Sequence, residues 1–257
     1  PFAEAYIRHY EELTEKDELL KQLAVVAGAK EAGPLTASAG VAIVGRNFPF
    51  HIAYDLAEEL VSRGKKLGKK PGKVPCSTIN FHVLRDATVL DPDDTLDEYK
   101  GRVQRPFLIG HYAPERIGDA PTTSSEETPT TTPQPLSSWA RILQAVAAFD
   151  GKKPDDPTQT TGDPFPRARA NRIVKLLAGG DDERATREWE HALEAEPAAR
   201  KLEGALELLG AKESPGAVSW LLDLIDLSEN LPDGYITCRL ARDANGRIAC
   251  DEASGAT

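Results

Sequence analysis

Two adjacent carboxylates follow two glycines at Gly179-Gly180-Asp181-Asp182. On a tight turn between two strands, such a pair can hold the metal ions used in nucleotidyl transfer. The flanking sequence is helical instead, because Leu176-Leu177-Ala178 ends one apolar periodic run and glycines commonly terminate helices. Asp181 or Asp182 then begins the next helix as its N-cap. The motif therefore predicts a capped helix-turn-helix, not a metal site.

A cluster of positive charge extends from Arg63 to Lys73, where six of eleven residues are basic. Lys65 and Lys66 stand at the end of a predicted helix, and a basic loop follows them. Such a cluster in an acidic chain can attract a triphosphate or an RNA backbone. A solvated surface loop explains the same charges, so both interpretations stay open.

Ser38 and Gly40 are small residues inside a predicted strand. Small side chains allow a nucleotide or another backbone to approach a strand closely. They also allow a helix to pack directly on the strand. The sequence does not separate these two roles.

Two histidines have spacing that could serve chemistry. His51 and Asp55 lie four residues apart on one predicted helix face and could form a metal pair, but no third ligand accompanies them, and an exposed ion pair is the alternative. His82 lies on the polar face of a predicted strand, where a hydrogen-bonded structural role competes with that of a catalytic base. The sequence assigns no metal ligand.

The composition limits the class of protein. The chain has 257 residues with 31 Lys and Arg against 41 Asp and Glu, a formal charge of −10, which argues against a general nucleic-acid coat. No apolar run reaches the roughly 18 residues of a membrane helix, and the N-terminus does not resemble a signal peptide, so we expect a cytoplasmic protein with no membrane partner. Because the chain has no Met, we expect that residue 1 is not the natural start.

The cysteines Cys76, Cys238 and Cys250 are odd in number and widely spaced. This pattern supports neither a disulfide framework nor a zinc site and fits a reducing compartment. Asn245-Gly246 predicts a hairpin turn between strands at 235–240 and 247–250. In that register Cys238 and Cys250 lie on opposite faces, so we expect no disulfide in the hairpin.

The first hundred residues predict a strand-helix-strand unit after an N-terminal helical region. Apolar periodicity predicts helices over Phe2–Val26, interrupted near Leu13 by a capping box from Thr14 to Asp17. A strand within Thr36–Val44, a helix from Pro49 to near Gly64 and a strand over Thr78–Leu84 have the length of a βαβ unit. We expect a helix to cover one face of this sheet and the polar Thr78, Asn80 and His82 to occupy the other.

The remaining sequence predicts a different organisation. A Thr/Pro-rich segment at 113–136 cannot bury enough apolar surface to order itself, so it predicts a flexible linker between an α+β domain at 1–112 and a helical domain at 137–230. A Pro/Asp/Thr-rich loop at 151–164 interrupts the helices, and 231–257 forms the hairpin and tail. The helices predicted after Trp139 cover 167–178, 183–195, 198–209 and 217–227.

Three segments of the first domain carry a resemblance to a known family. In order they are Leu35–Val44, Phe48–Leu60 and Cys76–Leu84, followed by Arg105-Pro106-Phe107-Leu108-Ile109. As a set they closely resemble the second palm domain of the large subunit of type III CRISPR effector complexes and its stand-alone relatives, a palm similar to that of GGDEF cyclases. The resemblance covers a little under half of the chain.

The resemblance implies an α+β fold: a ferredoxin-like palm sheet with covering helices, here followed by an all-helical domain and a C-terminal β-hairpin. It also implies a nucleotidyltransferase that uses ATP with Mg²⁺ or Mn²⁺ and makes cyclic oligonucleotides in antiviral defence. The family's metal-binding Gly-Gly-Asp-Asp hairpin precedes the helix that resembles Phe2–Leu13, so we expect this chain to begin after it. Lys65 and Lys66 match the position of a phosphate-contacting lysine, and with Ser38 and Gly40 they are the predicted nucleotide-binding residues.

Two alternatives to an active cyclase stay open at this point. A catalytically inactive palm would act as a nucleotide-sensing scaffold that binds RNA or other CRISPR-type effector subunits. An ordinary α+β domain with a helical bundle would have no nucleotide role at all.

Overall fold

The structure is a computed structural model, and it describes residues 1–27, 33–69, 75–84, 91–110, 139–153, 156–160, 162–211, 216–232 and 234–240. The chain forms two units, residues 1–98 with 105–113 and residues 99–104 with 114–257. Both contain helices and strands, so the predicted α+β class is confirmed. The predicted linker at 113–136 lies almost wholly outside the described residues.

The first unit consists of four helices and three strands among its described residues. In chain order they are α1 (Phe2–Lys16), α2 (Glu18–Val26), β1 (Ser38–Ile43), α3 (Phe50–Gly68), β2 (Ser77–Val83), α4 (Pro92–Glu98) and β3 (Phe107–Ile109). The sheet order is β1-β2-β3, with β1 parallel to β2 and β2 antiparallel to β3. Val41 is paired with Phe81, so the two predicted strands lie side by side in one sheet. Whether this is a ferredoxin-like palm stays a prediction.

Helix α3 is longer than the sequence predicted. Pro49 is its N-cap, and Leu56 and Leu60 are buried against the sheet. The predicted end at Gly64 is wrong, because the helix continues to Gly68. A Cβ on Gly64 would lie 2.7 Å from Thr78 Oγ1, so the glycine allows the helix to pass close to β2 without ending there.

The two faces of the sheet differ from the prediction. Asn80 donates a hydrogen bond through Nδ2 to the carbonyl oxygen of Leu60 at 3.1 Å, so the polar side chains of β2 lie beneath α3 instead of on an open face. Ser77, on the opposite face, bonds to Glu11 of α1. Helices therefore contact both faces, and all of β2 before Val83 is buried. Because a buried amide needs partners, the bond to Leu60 explains why Asn80 is tolerated there.

The break between α1 and α2 occurs three residues later than predicted. Asp17, not Thr14, is the N-cap of α2, and its side chain accepts a hydrogen bond from Leu20 N. Thr14 remains inside α1 and donates to the carbonyl oxygen of Tyr10 at 2.9 Å. A hydroxyl within a helix can bond to the preceding turn in this way, so the capping box was assigned to the wrong residue.

The second unit is mainly helical in its described residues. Its elements are α5 (Trp139–Phe149), β4 (Lys152–Lys153), β5 (Asp156–Thr160), α6 (Arg167–Ala178), α7 (Asp182–Ala195), α8 (Pro197–Glu207), a 3₁₀ turn (Val218–Trp220), α9 (Leu221–Asn230) and α10 (Tyr235–Leu240). Phe149, Phe165 and Trp189 form an aromatic core with ring centroids 5.9 and 5.7 Å apart. The helices predicted at 167–178, 183–195, 198–209 and 217–227 are present with small shifts of their ends.

Two predictions for the second unit are wrong. The predicted loop at 151–164 contains the antiparallel pair β4–β5, so this unit is not all-helical. The predicted strand at 235–240 is α10. Gly234 adopts φ +78 before the helix, and the Trp139 indole donates to Tyr235 Oη at 3.2 Å. Packing against α5 thus outweighs the local preference of Ile236 and Thr237 for a strand.

The disulfide prediction also fails at its described end. Cys238 is disulfide-bonded, whereas Cys76 is free. The expected separation of faces assumed a strand at 235–240, and a helix does not have that alternation. The turn at Asn245-Gly246 and the second predicted strand lie outside the described residues. Within the described ranges, no helix combines the length and apolar character needed to cross a bilayer.

Candidate functional site

An open groove of about 740 Å³ runs along α3 in the first unit. We call it the α3 groove, and its lining includes Gly40 of β1, Tyr54, Glu58 and Lys65 of α3, and Asp93 of α4. Helix α3 supplies most of the lining because its buried stripe of Leu56 and Leu60 turns the opposite, polar side of the helix outward. The groove brings together two of the four predicted binding residues, Gly40 and Lys65.

The charge of the groove is predominantly negative. Lys65 is accompanied by five carboxylates, which are Asp55, Glu58, Glu59, Asp91 and Asp93. A triphosphate would be repelled by this set unless cations accompanied it. The lining therefore favours cationic groups, and it differs from the basic surface that the sequence predicted.

Several of these carboxylates already have partners within the protein. Arg63 bonds to Glu59 at 2.9 Å and to Asp93 and Asp97 at 3.0 Å each, which ties α3 to α4. Asp91 caps α4, because its Oδ1 accepts from the backbone of Asp93 at 2.9 Å. These contacts assign much of the negative charge to holding α4 in place.

Tyr54 and Glu58 form a hydrogen bond at the exposed side of the groove. The phenol donates to Glu58 Oε1 at 2.8 Å. This hydrogen bond and the charge of the same carboxylate raise the pKa of Tyr54 above its ordinary value. Tyr54 therefore stays protonated and can act as a hydrogen-bond donor at neutral pH.

The structure places the four predicted binding residues in two different environments. Lys65 and Lys66 are exposed in the last turns of α3, where positive charge also stabilises the helix end. Ser38 Oγ accepts a hydrogen bond from Thr78 Oγ1 at 2.9 Å between the two strands. A Cβ on Gly40 would lie 2.9 Å from Val61 N, so α3 closely covers this glycine. The phosphate role of all four stays a prediction.

The donor set for a metal ion is not assembled in the described part of the chain. His51 and Asp55 are both exposed, and no group of three or more His, Cys, Asp or Glu among the described residues could hold a metal. The described residues thus do not fit the Mg²⁺ or Mn²⁺ that the resemblance implies.

The Gly179-Gly180-Asp181-Asp182 turn has the structural role that the sequence predicted. Helix α6 ends at Ala178, Gly180 adopts φ +74, and Asp181 is the N-cap of α7. The Asp181 side chain accepts a hydrogen bond from Arg184 N at 3.2 Å. This turn therefore joins two helices, and the capped helix-turn-helix prediction is confirmed.

His82 is buried on the α3 side of β2, with 2% of its surface exposed. Burial, together with the positive charge of Arg105, lowers its pKa from 6.5 to about 4. The imidazole is therefore neutral at physiological pH. Its burial favours the structural role over that of a base acting on an external substrate.

The sequence did not reveal that α1 buries two acids. Glu4 and Glu11 are buried together with Ile7, whereas Phe2 is 84% exposed and Tyr6 57%. Glu11 bonds to Ser77 Oγ, and Gly110 lies against the same carboxylate. The recurrence of Glu4, Ile7 and Glu11 at three and four residues was the available signal, but apolar periodicity favours the other face.

Comparison with known proteins gives no family assignment. No protein-family model matches the chain, and no curated protein matches it significantly.

Proposed function

We propose that the first unit is the nucleotide-handling palm of a cyclic oligonucleotide synthase-like protein from a CRISPR-type antiviral system, located in the cytoplasm. The observation that supports this proposal is the pairing of Val41 with Phe81 in adjacent parallel strands beneath α3. The three segments that carry the resemblance thereby form one βαβ unit.

Within this proposal the unit positions a nucleotide and does not supply the metal ligands. Lys65 and Lys66 are the cations nearest to the groove that could contact phosphate oxygens. Because the described residues do not form a metal site, we assign the metal ligands to other parts of the protein and derive no catalytic step from these coordinates. ATP with Mg²⁺ or Mn²⁺ is the proposed substrate.

Labelled ATP tests the enzymatic proposal directly. The full-length protein, incubated with ATP and Mg²⁺ or Mn²⁺ in the presence and absence of RNA, should release pyrophosphate. The double variant Lys65→Ala/Lys66→Ala should raise the KM for ATP, whereas the exposed Lys175→Ala in α6 should not. Absence of pyrophosphate under all of these conditions would remove the proposal.

The acidic groove favours a second candidate, in which the palm is catalytically inactive and serves as a scaffold for RNA or protein subunits. A scaffold that senses nucleotide would bind ATP without releasing pyrophosphate. Ligand at about one hundred times its dissociation constant adds about 2.7 kcal/mol to the free energy of unfolding, which a thermal-shift assay detects. No shift with ATP and Mg²⁺ would favour the domain without a nucleotide role.

A further inference from the structure

The outer edge of β1 has hydrogen-bonding groups available for another strand. Among the described residues β1 pairs with β2 alone. The carbonyl oxygens of Ala37 and Ile43 accept from Thr78 N and Leu84 N of the β2 segment. Because successive residues of a strand direct their backbone groups to alternate sides, Ser38, Gly40 and Ala42 direct theirs to the outer edge.

This edge has none of the features that normally prevent strand addition. The six residues of β1 include no charged side chain and no proline, and their register with β2 is continuous. All six are only partly buried, in contrast to β2. Protected edges usually carry charge, proline or a bulge, so β1 is suited to receive a partner strand.

The helix above this edge has opposite charges in its two halves. Asp55, Glu58 and Glu59 lie in the first half of α3, and Lys65 and Lys66 lie in its last turns. A second helix in antiparallel orientation would place its basic turns beside the acidic half of the first. This complementarity is what an identical partner related by a twofold axis provides.

Gly40 connects the strand edge to the helix. Its Cα lies beneath Ala57 and Val61, near the middle of α3. A twofold axis at Gly40 would pair this residue with Gly40 of a second copy, and Ser38 with Ala42, through about six hydrogen bonds. The same axis places Lys65 beside Tyr54 and Asp55 of the second copy.

We infer that the β1 edge and the α3 groove form a homodimer interface. Two β1 strands pair antiparallel and extend the sheet across both copies, while the α3 helices pack antiparallel above them. The α3 groove receives the basic turns of the second copy, which explains its acidic lining. This inference does not depend on the proposed nucleotide function.

Sedimentation velocity on the full chain tests the inference, at low salt because exposed charges are screened by ions. The unmodified chain should form a dimer. The variants Lys65→Glu/Lys66→Glu and Asp55→Lys/Glu58→Lys should each raise the dimer dissociation constant roughly tenfold or more, because each places like charges together. An equimolar mixture of the two variants should form a heterodimer, whereas the exposed control Lys175→Glu should dimerise normally.

A proline substitution tests the strand pairing separately. Ala42→Pro removes a backbone N–H that faces the outer edge and leaves the bonds to β2 in place. We expect a monomer with an unchanged far-UV circular dichroism spectrum. If this variant fails to fold, the charge-variant mixture still decides the question.

Three results would overturn the inference. The first is a chain that stays monomeric at every soluble concentration, including one that binds a strand of another protein at this edge. The second is a dimer that neither charge reversal nor the proline weakens. The third is a mixture of the two charge variants that forms no heterodimer.

Discussion

The backbone of Ala57 passes so close over Gly40 that a Cβ on this glycine would overlap the Ala57 carbonyl oxygen. Helix α3 thus packs on β1 at a distance that only glycine permits. The next backbone atom, Val61 N, would be 2.9 Å away. Because backbone atoms cannot rotate aside, any larger residue must displace the helix from the sheet.

Gly40→Ala should therefore lower the free energy of unfolding by about 1–3 kcal/mol, the range for overpacking in a close-packed interior. Urea denaturation measures the change. Gly204→Ala in α8 is the matched control, because a Cβ there meets nothing within 4 Å. That control should stabilise the protein by about 0.5–1 kcal/mol, since alanine favours a helix over glycine. Equal effects of the two substitutions would contradict this packing.

His82 should make the protein less stable in mild acid. Its folded-state pKa is about 4 against 6.5 when unfolded, so between these values the unfolded chain binds a proton that the folded chain does not. Stability should be highest above about pH 6.5 and fall by about 3 kcal/mol as the pH approaches 4, from 1.36 kcal/mol for each pKa unit. Urea midpoints measured across this range give the slope.

The contribution of His82 can be separated from that of the carboxylates by substitution. His82→Gln keeps a neutral polar side chain at this position and should flatten the acid slope. The exposed His51→Gln should leave the slope unchanged. Identical slopes for all three proteins would show that His82 does not cause the acid sensitivity.

The sequence predicted the elements that depend on long, regular patterns. The stripe of Ile52, Leu56 and Leu60 located α3, and the β-branched runs located β1 and β2, because burial of one face determines these structures. Helix ends were less accurate. Gly64 was interpreted as a terminator, but here it allows close packing on Thr78, a tertiary contact that local sequence does not encode.

The same distinction explains the errors at the candidate site. The basic residues from Arg63 onward were predicted to form a positive surface, but the groove also collects Asp91 and Asp93 from α4, which is distant in sequence. The helix at Tyr235–Leu240 was predicted as a strand because its propensity is local, whereas its packing on α5 is not. The sequence identified the members Lys65 and Gly40 but not their surroundings.

Arg63→Ala should loosen α4 more than it unfolds the protein. Arg63 bonds to Glu59 of α3 and to Asp93 and Asp97 of α4, and the two α4 carboxylates are exposed. Exposed pairs contribute about 0–1 kcal/mol each, so we expect a total loss of about 1–2 kcal/mol. Hydrogen exchange should quicken across Pro92–Glu98, and less so in Lys21→Ala, which removes an exposed pair in α2. Unchanged protection of α4 would show that the network does not hold it.

The Cys76 thiol should react slowly with alkylating reagents. Burial and the negative charge of Glu11 raise its pKa above the ordinary value. Since the thiolate is the reactive species, the folded protein should be alkylated at this residue more slowly than the protein in guanidinium. Glu11→Gln removes the charge and should speed the reaction, followed by mass spectrometry of the Cys76 peptide. Equal rates in folded and unfolded protein would contradict the burial.

Asp150 joins three elements of the second unit and should be important for its stability. Its Oδ1 accepts from Arg167 Nη2 at 3.0 Å, at the start of α6, and from Ser228 Oγ of α9 at 2.5 Å. Hydrogen bonds to charged groups contribute about 1.5–3 kcal/mol, and partial exposure reduces this, so Asp150→Ala should cost about 2 kcal/mol. Asp150→Asn keeps an acceptor oxygen and should cost less, because only the charge is lost. The exposed Asp163→Ala should have little effect. If urea denaturation gives the same loss for Asp150→Ala and Asp163→Ala, the Arg167–Asp150–Ser228 contacts do not stabilise this unit.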